Sequence, residues 1–269
     1  MYNWNAVFLR YCDGSSLSSD KTTPAIVGNE TIYYRGRAIL DAEIKSLLND
    51  RGMNQATDVV VSGCSAGGLA TFLHCDKWSN SITNATVSTI NQTAKVVCMP
   101  DSGFFVDQTL PEGDQYGEWM RYIYFFQETS PEGLNEDCYK AHLATNDTEA
   151  CMLAEHTSPY IKTPMFPIQS KYDSCQFGMI GKPTDAVFNE YGKNLTHLLV
   201  STLLSQPQHG AFLDACFNHC GNWDGPIIDQ MTTAQAFEAW YNGGSQSLQN
   251  KGFFNQEAVY PCDACCGGF

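Results

Sequence analysis

A chain of 269 residues with 43% hydrophobic and 16% charged residues is long enough to bury a large core and is not composed like a disordered segment. Its formal net charge of −14 argues against nucleic acid as a partner, and it repels a fully ionised acidic polysaccharide at long range unless local basic contacts intervene. No apolar run reaches membrane-spanning length.

Residues 6–11 form an apolar run that is expected to be a short strand entering the turn Cys12-Asp13-Gly14-Ser15-Ser16. Residues 32–36 read as a brief strand or loop. From Arg37, the apolar residues Ile39, Leu40, Ile44, Leu47 and Leu48 recur at helical spacing, and Gly52 is a plausible stop. Val59, Val60 and Val61 then predict a fully buried strand. It leads into Gly63-Cys64-Ser65-Ala66-Gly67, and Leu69 to Leu73 carry apolar residues onto a following helix.

That five-residue stretch fits G-x-S-x-G, in which a sharp strand-to-helix turn holds a serine in strained backbone geometry and presents its Oγ to a cleft. Gly63, Ala66 and Gly67 are small where strand and helix pass close together, and the Ala66 N–H faces any developing oxyanion. The bland alternative is a glycine-rich turn with no chemistry.

Residues 95–99 predict a second buried strand, ending in Pro100-Asp101-Ser102-Gly103. Residues 111–159 are aromatic, irregular and cysteine-containing, with helical pieces near 119–126 and 149–155. They read as a cap over the sheet within a single domain spanning 1–269. Residues 163–169 predict a third core strand that delivers Lys171-Tyr172-Asp173-Ser174. A helix over 185–204, a strand and loop from Gly210 to Cys220, and a last helix over 232–241 precede a cysteine-rich tail. Strands alternating with helices predict an α/β fold with a mostly parallel sheet covered on both faces.

Twelve cysteines point to an oxidising compartment and several disulfides, with structural zinc as the competing reading. Five N-x-S/T sequons, at Asn29, Asn84, Asn91, Asn146 and Asn194, fit a secreted glycoprotein. Residues 1–5 lack the basic and apolar regions of a signal peptide.

A serine nucleophile of this type takes its acid and then its base from later strand ends. Asp101 and Asp173 both follow predicted core strands, and Asp173 is favoured because it leaves the later one. Asp101 then hydrogen-bonds its own turn. His209 and His219 both remain open as the base, His219 being bracketed by Cys216 and Cys220. His197 lies within a helix, and His74, His142 and His156 precede the acid.

The chain resembles the pectin acetylesterase family, which includes the Notum carboxylesterases. The resemblance rests on Tyr2-Asn3-Trp4-Asn5 through Ser15, Tyr34-Arg35-Gly36, Ser62 through Asp76, Asp101-Ser102-Gly103-Phe104-Phe105, Tyr172-Asp173-Ser174, Gly210 through Cys220 and the tail cysteines. It implies a disulfide-rich α/β-hydrolase-like three-layer fold and a secreted serine esterase without cofactor or metal. The implied roles are nucleophile for Ser65, acid for Asp173 and base for His219, with Ala66 in the oxyanion hole. It implies an acetylated cell-wall polysaccharide, pectin, as substrate; the charge and the absence of a spanning run separately lead us to expect no nucleic-acid or membrane partner. The alternatives are a Notum-like deacylase of lipidated protein and a truncated, inactive binding protein. Family members carry a Gly-Gly-Gly-Trp-Cys-type oxyanion loop upstream of Tyr-Asn-Trp, and this sequence starts after that point. It is therefore expected to be an N-terminally truncated form or an incomplete gene model.

Overall fold

The computed structural model describes residues 1, 3–85, 94–107, 116–180, 184–221, 223–243 and 252–267. Two short antiparallel pairs, β1 (Ala25–Val27) with β2 (Glu30–Ile32) and β7 (Ile227–Ile228) with β8 (Met231–Thr232), lie outside the main sheet. The main sheet comprises β3 (Asp58–Cys64), β4 (Lys95–Asp101), β5 (Ile168–Ser170), β6 (Ala211–Asp214) and β9 (Phe253–Asn255). Its order is β3-β4-β5-β6-β9 and every pairing is parallel, as the alternation of strand and helix predicts. The helices are α1 (Gly36–Asp50), α2 (Ala66–Ala85), α3 (Tyr116–Phe126), α4 (Glu136–His142), α5 (Ala154–Thr157), α6 (Ser174–Ile180), α7 (Asp185–Thr202) and α8 (Thr233–Gly243).

The period-2 alternation of strand side chains divides β4 between two layers. Cys98 faces the cluster built around α2 and α7, with Leu69, Phe72, Tyr191, Leu195 and Leu199, whereas Val97 and Met99 face Phe237 and Trp240 of α8. In β6, Ala211 and Leu213 join the first cluster and Phe212 the second. A third cluster joins α1 and α2 over Val59 and Val96. The sheet is thus buried on both faces, the arrangement that parallel strands require. The cap is part of this core: Cys138, Met152 and Leu153 are buried in the α2–α7 cluster.

Two expected strands differ from those observed. Residues 6–11 form no strand, and Phe8 is 87% exposed. Apolar alternation gives a strand only when a neighbour completes its hydrogen bonds, and among the described residues β3 pairs with β4 alone. The expected strand over 163–169 shortens to β5, preceded by an isolated bridge from Cys98 to Met165. Pro164 and Pro167 cannot donate to a ladder, so regular pairing begins only after them.

Ten cysteines form five bridges: Cys64–Cys220, Cys75–Cys98, Cys138–Cys151, Cys216–Cys266 and Cys262–Cys265. The clustered tail sulfurs are therefore consumed in disulfides and do not offer the thiolates that zinc requires. Cys12 and Cys175 are free. Asn29, Asn84 and Asn146 are exposed and Asn194 is half-buried; Asn91 and the start of the cap, 111–115, lie outside the described residues.

The C-terminal segment forms a strap across the carboxyl end of the sheet. The Gln256 N–H donates to the Leu213 carbonyl and its Oε1 accepts the Ala215 N–H. Lys171 Nζ donates to the Gln256 carbonyl and Tyr172 Oη to that of Ala258. The Tyr260 N–H donates to Asn189 Oδ1 on α7.

Candidate active site

β3 ends at Cys64, and Ser65 turns the chain into α2 with φ 59°, a left-handed conformation that costs a non-glycine residue on the order of 1–3 kcal/mol. The strain is held by close packing. A Cβ on Gly63 would lie 2.5 Å from the Gly67 carbonyl oxygen, and one on Gly68 would lie 2.4 Å from that of Asp101. The Ser65 N–H donates to the Asp101 carbonyl at 2.9 Å. Ala66 is the first residue of α2, so its N–H belongs to the helix turn that has no intrahelical acceptor. Ser65 is half-buried.

Asp173 follows β5 and is completely buried. Its Oδ1 accepts the N–H groups of Cys175 and Gln176 at 2.9 and 3.1 Å, which fixes the carboxylate at the start of α6. His219 lies in the loop after β6, with Nδ1 2.9 Å from Asp173 Oδ1 and 2.8 Å from Oδ2. That hydrogen bond raises the His219 pKa above the ordinary 6.5, against the opposing effect of burial. Its Nε2 is buried without a hydrogen-bond partner. The imidazole is thus held from one side and leaves its other nitrogen available, although Ser65 Oγ is not hydrogen-bonded to it here.

His209, the competing candidate, lies elsewhere. Its Nδ1 accepts the Met165 N–H at 3.1 Å, and its Nε2 is 3.2 Å from the Ile161 carbonyl. Burial lowers its pKa to about 4, so it is a neutral side chain tying the irregular segment before β5 to the core. His74 is also buried and depressed to about 4 by burial, with Nε2 2.9 Å from the Ser16 carbonyl. His142 and His156 belong to the cap, where their rings meet edge to face.

Asp101 does more than close its own turn. Its Oδ1 accepts from Ser102 Oγ at 3.0 Å, as expected of Asp-Ser-Gly, but its Oδ2 accepts the Gly221 N–H at 2.9 Å. Ser102, at φ 49°, accepts the Cys220 N–H on its Oγ at 2.8 Å. The Asp101–Ser102 turn therefore holds both the elbow and the histidine loop. Burial raises the Asp101 pKa, and the opposing effect of the Gly221 N–H and the Ser102 hydroxyl, both of which favour the carboxylate, does not cancel it. Sequence reading placed Asp101 at a strand end but offered no signal for its contact with residue 221, 120 positions away.

Two further features escaped the sequence. Phe105 packs between Tyr116 of α3, centroids 4.6 Å apart, and His219, at 6.3 Å, forming an aromatic wall beside that imidazole. A cleft of about 1200 Å³ runs along the outer edge of β3, between Val59–Val61 and the exposed segment containing Trp4, Phe8 and Tyr11. It reaches the site only through residues 63–67 and is not lined by Asp173 or His219.

A mostly parallel sheet with a strained serine elbow after one strand and a buried carboxylate–imidazole pair after two others defines an α/β-hydrolase-like protein. More specifically, the family model described as Pectinacetylesterase matches residues 1–188, and the chain belongs to that family. It is 28% identical to pectin acetylesterase 11 of Arabidopsis thaliana over 89% of this chain and 65% of that protein. It is 23% identical to the palmitoleoyl-protein carboxylesterase NOTUM of Homo sapiens over 89% of this chain and 49% of that one. Among solved structures, the Wnt deacylase Notum from Drosophila superposes with a TM-score of 0.78 at 22% identity, covering 96% of this chain and 73% of that one. The chain thus spans about two thirds or less of the length of these curated relatives.

Proposed function

We propose that this protein is a secreted serine carboxylic-ester hydrolase that removes O-acetyl groups from a cell-wall polysaccharide, with pectin as the substrate. The observation that carries the reading is the Asp173–His219 pair, whose free Nε2 is buried at the same end of the sheet as the Ser65 elbow. In this reading His219 takes the proton from Ser65 Oγ as the oxygen attacks the acetyl carbonyl. Asp173 keeps the ring in the tautomer with its proton on Nδ1 and stabilises the imidazolium. The tetrahedral oxyanion takes a hydrogen bond from the Ala66 N–H. The sugar alcohol leaves with the proton from Nε2, and water, activated in turn by His219, hydrolyses the acetyl-enzyme.

Family membership and the names of the plant relatives support the polysaccharide ester as substrate. Phe105 and Tyr116 give the acyl group an aromatic surface beside His219 to pack against, and the length of acyl chain it accepts is what the ester comparison reads. Five disulfides and exposed sequons support an extracellular location. Acetate release from acetylated pectin and hydrolysis of 4-nitrophenyl acetate against the octanoate test this directly. Loss of acetate release in Ser65→Ala with retained fold is the expected result. Undiminished release by that variant, or a preference for octanoate, overturns the reading.

A further inference from the structure

The Cys64–Cys220 disulfide joins the residue immediately before Ser65 to the residue immediately after His219, across 156 positions of chain. Both sulfurs and a His219 ring nitrogen lie within 4.8 Å of one another. Both loops that it joins are backbone-strained, with Ser65 at φ 59° and Cys220 at φ 66°. Apart from this bond, the histidine loop is tied to the elbow indirectly, through the Asp101–Ser102 turn.

We infer that Cys64–Cys220 is a positioning device for the reaction: it sets the distance between Ser65 Oγ and His219 Nε2, and opening it lowers turnover while the fold persists. This inference rests on the assignment of Ser65 and His219 in the proposed function. The physical case is that a nucleophile and its base must meet within hydrogen-bond reach, and that misplacement by about 1 Å costs about 100-fold in rate. No Ser65–His219 hydrogen bond fixes that distance in the structure, so the covalent link between their neighbours does so.

The same bond contains the most exposed of the bridged cysteines. Cys64 is exposed and Cys220 half-buried, Cys262, Cys265 and Cys266 of the tail bridges are half-buried, and both members of Cys75–Cys98 and of Cys138–Cys151 have no exposed surface. The bridges that sit within the core hold it together when Cys64–Cys220 is opened. An external phosphine reduces the exposed bond: the S–S bond breaks, each sulfur gains a proton from water, and the phosphine is oxidised to its oxide with the water oxygen. Two thiols are left beside Ser65 and His219, and the loops are then joined only by hydrogen bonds through Asp101 and Ser102.

The test uses the whole chain secreted from a eukaryotic host, in a Cys175→Ala background whose own activity is the reference. Cys175 is removed because its sulfur lies within 4.8 Å of His219 and its alkylation would confuse the result. Hydrolysis of 4-nitrophenyl acetate is measured for the background protein, for the Cys64→Ala/Cys220→Ala double variant, and for the background protein treated with graded phosphine and alkylated. Mass spectrometry follows each cysteine, and urea unfolding confirms the fold at the assay temperature. The expected result is a kcat 10- to 100-fold lower in the double variant with KM within twofold. In the reduced protein, activity falls in step with alkylation of Cys64 and Cys220, and reoxidation before alkylation restores it. A folded double variant with the reference kcat, or full activity after both cysteines are alkylated, overturns the inference. If the double variant does not fold, the reduction series decides. A parallel Ser65→Ala protein separates the two claims: activity in it defeats the site assignment, whereas an inactive Ser65→Ala beside a fully active Cys64→Ala/Cys220→Ala defeats the clamp alone.

Discussion

His219 Nδ1 lies 2.8 Å from Oδ2 and 2.9 Å from Oδ1 of Asp173, so the imidazole is held by a carboxylate that has no exposed surface of its own. General-base work needs the neutral ring, and the contact raises the ring's pKa above 6.5. The kcat/KM for an acetyl ester should therefore fall on the acid side with a midpoint above that value. Asp173→Asn should move the midpoint down and lower kcat by roughly 10³–10⁴-fold, the scale seen when the acid of such a triad is replaced. A pH–rate profile for each protein checks both.

His209, the buried histidine after Asp173, should behave differently. His209→Gln disturbs an imidazole that accepts the Met165 N–H inside the core. Leaving that donor poorly paired costs about 1–3 kcal/mol of stability. Activity per folded molecule should be unchanged, which active-site titration combined with urea unfolding will show.

Backbone contact at the elbow leaves no room for a methyl group. Gly68→Ala brings its Cβ to 2.4 Å from the Asp101 carbonyl oxygen, and Gly103→Ala brings its own to 2.3 Å from the Gly68 carbonyl carbon. Neither neighbour is a flexible side chain, so each substitution should destabilise the fold by about 3 kcal/mol or more. Gly178→Ala, where nothing lies within 4 Å, is the matched control. Thermal unfolding of the three variants makes the comparison.

In the cap, His156 Nε2 lies 3.8 Å from Asp107 Oδ2 and 3.3 Å from Glu155 Oε1. Asp107 first, then Glu155, raises its pKa from 6.5 to about 9. The folded chain therefore holds a proton that the unfolded chain releases between these values. The stabilisation is fully present below pH 6.5 and disappears as pH rises through about 9. His156→Gln should flatten that part of the stability–pH curve, measured by urea midpoints from pH 6 to pH 10.

Asp214 ends β6 in full burial, and desolvation raises its pKa from 3.8 to about 7. Here too the folded state holds the proton longer, so stability is lost as pH rises through that interval. Its Oδ1 accepts the Cys216 N–H at 2.8 Å, a role an amide oxygen can fill. Asp214→Asn should therefore gain stability relative to the parent at pH 8 and little at pH 4.

What could be read from the sequence followed from local signals. The β-branched run and small residues around Ser65 fix an elbow because that geometry is decided within about ten residues. The chain order of acid and base singled out Asp173, and the same reasoning left His209 and His219 open, since a loop histidine and a core-tying one carry identical local patterns. What set them apart was the neighbourhood: Met165 and Ile161 around one ring, Asp173 around the other. The Cys64–Cys220 pairing and the reach of Asp101 to Gly221 join residues more than 100 positions apart, where twelve cysteines allow many connectivities and a strand-end aspartate has many partners. Residues 6–11 failed in the opposite sense. Their local pattern suits a strand, but pairing is a property of the neighbour and not of the segment.

The C-terminal strap has a bearing on how this protein is handled. Lys171 and Tyr172, which directly precede the buried carboxylate, are held by the carbonyls of Gln256 and Ala258, and the sheet's far edge is closed by residues 253–255. Without residues 253–260, Phe254 would leave its place beside β6 and the side chains of Lys171 and Tyr172 would lose their carbonyl partners. Proteolysis within residues 253–260 is then expected to loosen the segment around Asp173, with the damage far in sequence from Ser65. Residues 253–260 thus support, from far away in the sequence, the segment that carries Asp173.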